Sequence, residues 1–252
     1  MEKKTLFDLE KRNCPFGGYD LYMEYLFACV NEGINRHLKG LKEIFATGQG
    51  DYKNVLYPYL EIAHDTCREK LERFQWQKEE PEEESGGEID AAILELFGEF
   101  AAEQNQRAAE AEETSAEEPE EIGKLIGYIQ SRAEASENEG IRLPFYEICR
   151  KLEFEHFTVF CLACGILAST QTDYAGVFQV VNENGGLSMP TIESAAKLYY
   201  GERFSITGAY GDMSVCLEQL LPVLNLQVRG SMPFSTLIAL DKRMIDYLFG
   251  KH

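Results

Sequence analysis

The pair Cys161-Leu-Ala-Cys164 has the spacing of half a structural zinc site, or of a redox dithiol. Zinc needs four ligands, and the sequence holds no second Cys-x-x-Cys and only one nearby histidine, His156. Both thiols fall within an apolar stretch, where cysteine packs as a small hydrophobe, so they are assigned to the core. Seven cysteines, an odd number scattered along the chain, argue against a disulfide framework. His64-Asp65 with Cys67 offers the parts of a nucleophile and its base. Adjacent positions do not share a helix face, however, and Cys67 falls on an apolar stripe, so the reading is structural. Glu82, Glu83 and Glu84, like Glu117 and Glu118, sit in a polar stretch that lacks the desolvation needed to tune a carboxylate. A triphosphate cradle Gly-x-x-x-x-Gly-Lys-Ser/Thr occurs nowhere, since Gly250-Lys251 lacks both the upstream glycine and the following hydroxyl. No catalytic, cofactor-binding or metal residue is assigned.

The elements around these residues read as mainly helical. From Tyr19, the residues Tyr22, Leu26, Cys29, Val30, Ile34, Leu38, Leu41 and Phe45 recur at three- and four-residue steps, which makes one face of a long helix. Thr47-Gly-Gln-Gly-Asp ends it. Tyr59, Ile62, Ala63, Cys67, Leu71 and Phe74 repeat the step, with Asp51 or Asn54 as cap and Pro58 in the first turn, so residues 1–78 are expected to form an antiparallel helical hairpin. Residues 79–121 open and close with Glu/Pro/Ser/Gly-rich runs expected to be mobile; between them Ile89, Ala92, Ile93, Leu96, Phe97 and Phe100 keep a helical step, expected to dock on a partner or on the domain. Ile122, Leu125, Ile126 and Ile129 predict a short helix that stops at the polar Glu134–Gly140 run. Helices follow over Phe145–Leu152, the apolar Glu155–Leu167, Asp173–Val181, a stretch from Ser188-Met-Pro-Thr to Tyr200, and Met213–Leu221. Leu224, Leu226 and Val228 then alternate with polar residues, Gly230-Ser-Met-Pro turns, and Phe234–Leu240 returns as the second strand of a hairpin. Short helices and a terminal hairpin, in residues 122–252, are the order of a winged-helix domain.

Charge is segregated along the chain. The net charge of -19 divides into 12 acids and 12 bases over residues 1–78, 17 acids and one base (Arg107) over 79–121, and 14 acids and 11 bases over 122–252. Sixteen of the net negative charges thus belong to the insert, and the global field opposes nucleic acid and anionic lipid. Met1-Glu-Lys-Lys-Thr-Leu-Phe-Asp-Leu-Glu lacks the apolar core of a signal peptide, and apolar runs are short, so the expected compartment is the cytoplasm with no membrane partner.

The apolar helix Val159-Phe-Cys-Leu-Ala, Tyr174 followed by Val177 and Phe178, Pro190-Thr-Ile at a helix start, and the closing Leu240-Asp-Lys-Arg-Met-Ile-Asp-Tyr-Leu-Phe-Gly carry a resemblance. From about Ile141 to Gly250 the chain resembles the winged-helix region that precedes the ATPase module in a family of bacterial AAA+ ATPases, some of them associated with contractile injection systems. Val180-Val-Asn-Glu-Asn and Ile166-Leu-Ala-Ser depart from that family's pattern. The resemblance implies the non-catalytic N-terminal part of an ATPase, either a piece of a longer protein or separately encoded. Its implied work is to recruit or position a protein client.

A winged helix also invites a nucleic-acid alternative. Thr191–Tyr200 would be the reading helix, yet it offers Lys197 as its one cation beside Glu193, with Arg203 just after. Duplex recognition brings several Lys or Arg to phosphates and a bidentate side chain to base edges. Tyr199, Tyr200, Phe204 and Tyr210 suit core packing or a protein contact. The expectation is therefore a non-catalytic adaptor, mainly α, with a nucleic-acid-binding or regulatory role as the alternative.

Overall fold

A run of apolar residues at helical spacing buries one stripe of the first long helix, α1 (Tyr19–Ala46): Tyr22, Leu26, Cys29, Val30, Ile34 and Leu38 are all buried in a computed structural model of the chain. The structure describes residues 7, 9–47, 57–79, 121–224 and 233–249. Helices follow at α2 (Tyr57–Glu79), α3 (Ile122–Asn138), α4 (Pro144–Lys151), α5 (His156–Thr170), α6 (Tyr174–Val181), α7 (Ile192–Tyr200), α8 (Ile206–Leu220) and α9 (Lys242–Leu248). Residues 1–77 and 120–252 cluster as one compact unit, and 78–119 as another. The expected insert helix over Ile89–Phe100, Arg107 and the acid pairs lie outside the described residues. No helix among the described residues is long and apolar enough to cross a membrane.

Helix α5 forms the centre of the first unit. Every residue from Phe157 to Leu167 is buried, as its nearly all-apolar sequence requires, and α1, α3, α6, α7 and α8 surround it. Each large side chain buried this way contributes about 1.5–3 kcal/mol. Two glycines permit the tightest crossings. A Cβ on Gly33 of α1 would meet the Leu198 carbonyl of α7 at 3.1 Å, and one on Gly165 of α5 would meet the Ile238 carbonyl at 2.8 Å. Tyr174 of α6 donates to Asn31 Oδ1 of α1 at 2.6 Å, so the buried hydroxyl is satisfied across the core.

Helix α3 runs through Asn138, well beyond the polar break expected at Glu134. The physical cause lies in the N-terminal segment. Phe16 N donates to the buried Ser136 Oγ at 2.7 Å, while Arg132 donates to the carbonyls of Cys14 and Pro15 and stacks over the Phe16 and Tyr25 rings at 4.2 and 4.9 Å. The polar residues of this last part of α3 are therefore a seat for residues 14–16. Phe7, stacked on Tyr25 and Tyr128, completes the aromatic cluster.

The expected β-hairpin is not seen among the described residues, which contain no strand. Residues 225–232, most of its first strand and its turn, lie outside them. What remains are two isolated antiparallel bridges, Leu224 with Leu240 and Thr191 with Leu237. Ile192 N donates to the Thr236 carbonyl at 3.2 Å and Ile238 N to the Pro190 carbonyl at 2.8 Å. The returning segment thus takes backbone partners from the stretch before α7 as well as from Leu224, and Pro233–Ser235 is a 3-10 turn instead of strand.

Candidate protein-docking face on α8

Ser205 starts α8 by accepting from Gly208 N at 3.1 Å, which satisfies one of the open amides of the first turn. The preceding turn Gly201–Arg203 needs glycine at its head, because Gly201 has φ of +57°. Ala209, Met213, Cys216 and Leu220, at steps of four, three and four, face the core. At the far end Gln219 Oε1 accepts from Thr158 Oγ1 at 2.6 Å, and its amide donates to the Glu153 carbonyl at 3.0 Å, fixing α8 against the start of α5.

Beside that core stripe, one flank of α8 is exposed and apolar. Ile206 is 57 % exposed, Tyr210 58 %, and Leu221, at the helix end, 49 %. Val215, Thr207, Gly208 and Gly211 are exposed elsewhere on the helix, Val215 half a turn around from Ile206. The helix contains no Lys, Arg or His; its charges are Asp212 and Glu218, both exposed. Tyr210 sets its ring edge against Phe234 at 5.3 Å, which links this face to the 3-10 turn of the hairpin region. Beside its N-terminal end opens a notch of about 400 Å³ lined by Ile122, Gly123, Tyr199, Tyr200, Gly208 and Ala209. Arg203 at its edge is bridged to Glu121 at 2.8 Å, and the Tyr200 hydroxyl donates to the Asp212 carboxylate. Burial first, then that bond to Asp212, raises the Tyr200 pKa, so the hydroxyl stays protonated and donating at neutral pH.

Helix α7 is the one that would read DNA in the nucleic-acid alternative. No residue of α7 is fully exposed; it lies against α1, α3, α5 and α8, and its start is closed by a reciprocal capping box between Thr191 and Ser194. Lys197 is engaged with Glu183 at 3.8 Å and Glu193 at 3.4 Å. Helix α8, which directly precedes residues 221–240, has an outward apolar flank, as does α2, whose Tyr59 and Ile62 belong to the expected apolar stripe and are 56 % and 65 % exposed. Its start at Ile206 is seven residues earlier than the sequence suggests, because Gly208 and Gly211 obscure the apolar step.

The other candidates do not converge. Cys161 and Cys164 are fully buried, with burial pushing both thiols far up, whereas His156 is exposed at the α5 start. Cys67 is buried and pushed up by that burial to about 12, and His64 Nδ1 lies 3.4 Å from Lys42 Nζ and 4.0 Å from Asp65. Among the described residues no group of three or more His, Cys, Asp or Glu is placed to hold a metal ion. A groove of about 510 Å³ between α3 and α4 is lined by residues of both signs, and its Arg12 and Arg150 are bound to Ser131 and Glu137.

A family described as "Winged helix domain, variant" matches residues 59–252, most of the chain. No curated protein and no solved structure matches.

Proposed function

This chain belongs to the variant winged-helix domain family, and on that premise we propose that it is a non-catalytic protein-docking module that works through the exposed face of α8. The observation that carries the reading is the chemistry of that face: exposed Ile206, Tyr210 and Leu221 along one flank, charges that are carboxylates only (Asp212 and Glu218), and no cation on the helix. Contiguous exposed apolar side chains mark interaction surfaces, and aromatic residues are enriched at protein interfaces. Phosphate contacts need Lys or Arg, and a helix with two carboxylates repels the duplex it would enter.

Its partner on this reading is a protein client or an ATPase module of the bacterial AAA+ type. Support for that link is the closing Leu240-Asp-Lys-Arg stretch, in which Asp241 caps α9 by accepting from Arg243 N at 2.7 Å. Family membership equally favours a nucleic-acid-binding or regulatory role, so charge is the discriminator. Labelled duplex DNA titrated at about 50 mM salt is expected to show no anisotropy change. Micromolar retention that weakens steeply as salt rises would overturn the docking reading.

A further inference from the structure

The charge around the α8 face narrows the chemistry of what can cover it. Asp212 and Glu218 project from the helix itself, and Glu202 is exposed in the turn before it. Gln219 bonds to the Glu153 carbonyl and accepts weakly from Glu155 N, which places two further exposed acids at the C-terminal end. Arg203, the cation lining the notch, already holds Glu121. An apolar flank on a helix whose only charges are carboxylates complements an apolar stripe bordered by amines or guanidinium groups, and it repels an acidic helix.

Resting on the docking reading, we infer that the occupant is a basic amphipathic helix of a partner protein, laid along the flank of α8 that carries Ile206, Tyr210 and Leu221. Ile206 to Leu221 spans roughly 22 Å along the helix, about four turns, so a partner helix of similar length can lie along it with anchors at i, i+3, i+4 and i+7. The partner's cations meet Glu202 at one end and Glu218 at the other.

The test uses the full chain and three labelled helical peptides of equal length: an amphipathic Leu/Lys peptide, its Leu/Glu counterpart, and the Leu/Lys composition scrambled so that leucines surround the helix. The Leu/Lys peptide is expected to bind at least about tenfold more tightly than either control, a difference of about 1.4 kcal/mol. The double variant Ile206→Glu, Tyr210→Glu discriminates further. Both sites are exposed, so the fold is retained, which thermal unfolding checks. Added negative charge would strengthen a merely diffuse attraction, whereas loss of the apolar stripe is expected to weaken Leu/Lys binding at least about tenfold. Equal binding of the scrambled peptide, or unchanged or tighter binding to the variant, overturns the inference. Equal binding of the Leu/Glu peptide overturns the charge assignment and leaves docking intact. Failure of all three peptides overturns the inference, and retention of duplex DNA in the same titration overturns the docking reading beneath it.

Discussion

His37 shows how a single half-buried group shapes the pH response. It sits on α1 with its Nε2 lacking a partner, and burial, then the Lys197 charge, lowers its pKa from 6.5 to about 4. Glu183 and Glu193, which engage Lys197, offset part of that field. Because the folded value lies below the unfolded one, the unfolded chain binds more protons between about pH 6.5 and 4. Stability is therefore full above that window and declines as pH falls through it. Urea denaturation at pH 7 and 4.5 is expected to show a loss attributable to this residue on the order of 2 kcal/mol, with a smaller pH slope in His37→Gln. Part of the slope will remain, since His64 is also lowered by burial and Lys42. An unaltered slope in the variant would assign the titration elsewhere. The site's individual residues were only partly legible: Tyr210 belonged to the expected aromatic cluster, but Ile206 and Leu221 read as ordinary apolar residues. Nothing local in the sequence states that a hydrophobe faces outward.

The elements were legible wherever apolar spacing alone sets them. The α1 stripe, the all-apolar α5 and Pro58 in the first turn of α2 follow from short-range pattern. Three elements were not, two of them because their partners are remote. The end of α3 is polar in sequence and ordered in structure because residues 14–16 bind it from more than a hundred positions away. The start of α8 depends on Ser205, whose capping contact reveals itself only once the chain turns at Gly201. The hairpin's return segment pairs with residues before α7, a non-local choice that alternation does not encode. Arg132 tests the first of these. Its guanidinium reaches the Cys14 and Pro15 carbonyls and the Tyr128 hydroxyl without a carboxylate partner among its bonds. Arg132→Ala is expected to cost about 2–4 kcal/mol in urea denaturation, with Arg132→Lys between the two because it keeps charge but loses the fork. A loss under about 0.5 kcal/mol in Arg132→Ala would mean that the N-terminal segment contributes little to the fold.

At the scale of the molecule, the helix of this winged-helix chain that precedes residues 221–240 carries no cation, while the neighbouring α7 has no exposed residue. The order of elements along the sequence pointed to this family; the identity of the outward helix did not emerge, because packing of α1 onto α7 is a tertiary fact. The net charge of -19 reinforces the same conclusion over longer range, since an acidic protein steers cationic partners inward and nucleic acid away. The most direct measurement is amide hydrogen exchange of the full chain with and without the amphipathic Leu/Lys peptide, and with duplex DNA in a parallel arm. Peptide-dependent protection concentrated in residues 206–221, with no change on adding DNA, is the expected result. Protection by DNA over 206–221, or peptide protection confined to other surfaces, would contradict the assignment of α8 as the docking face.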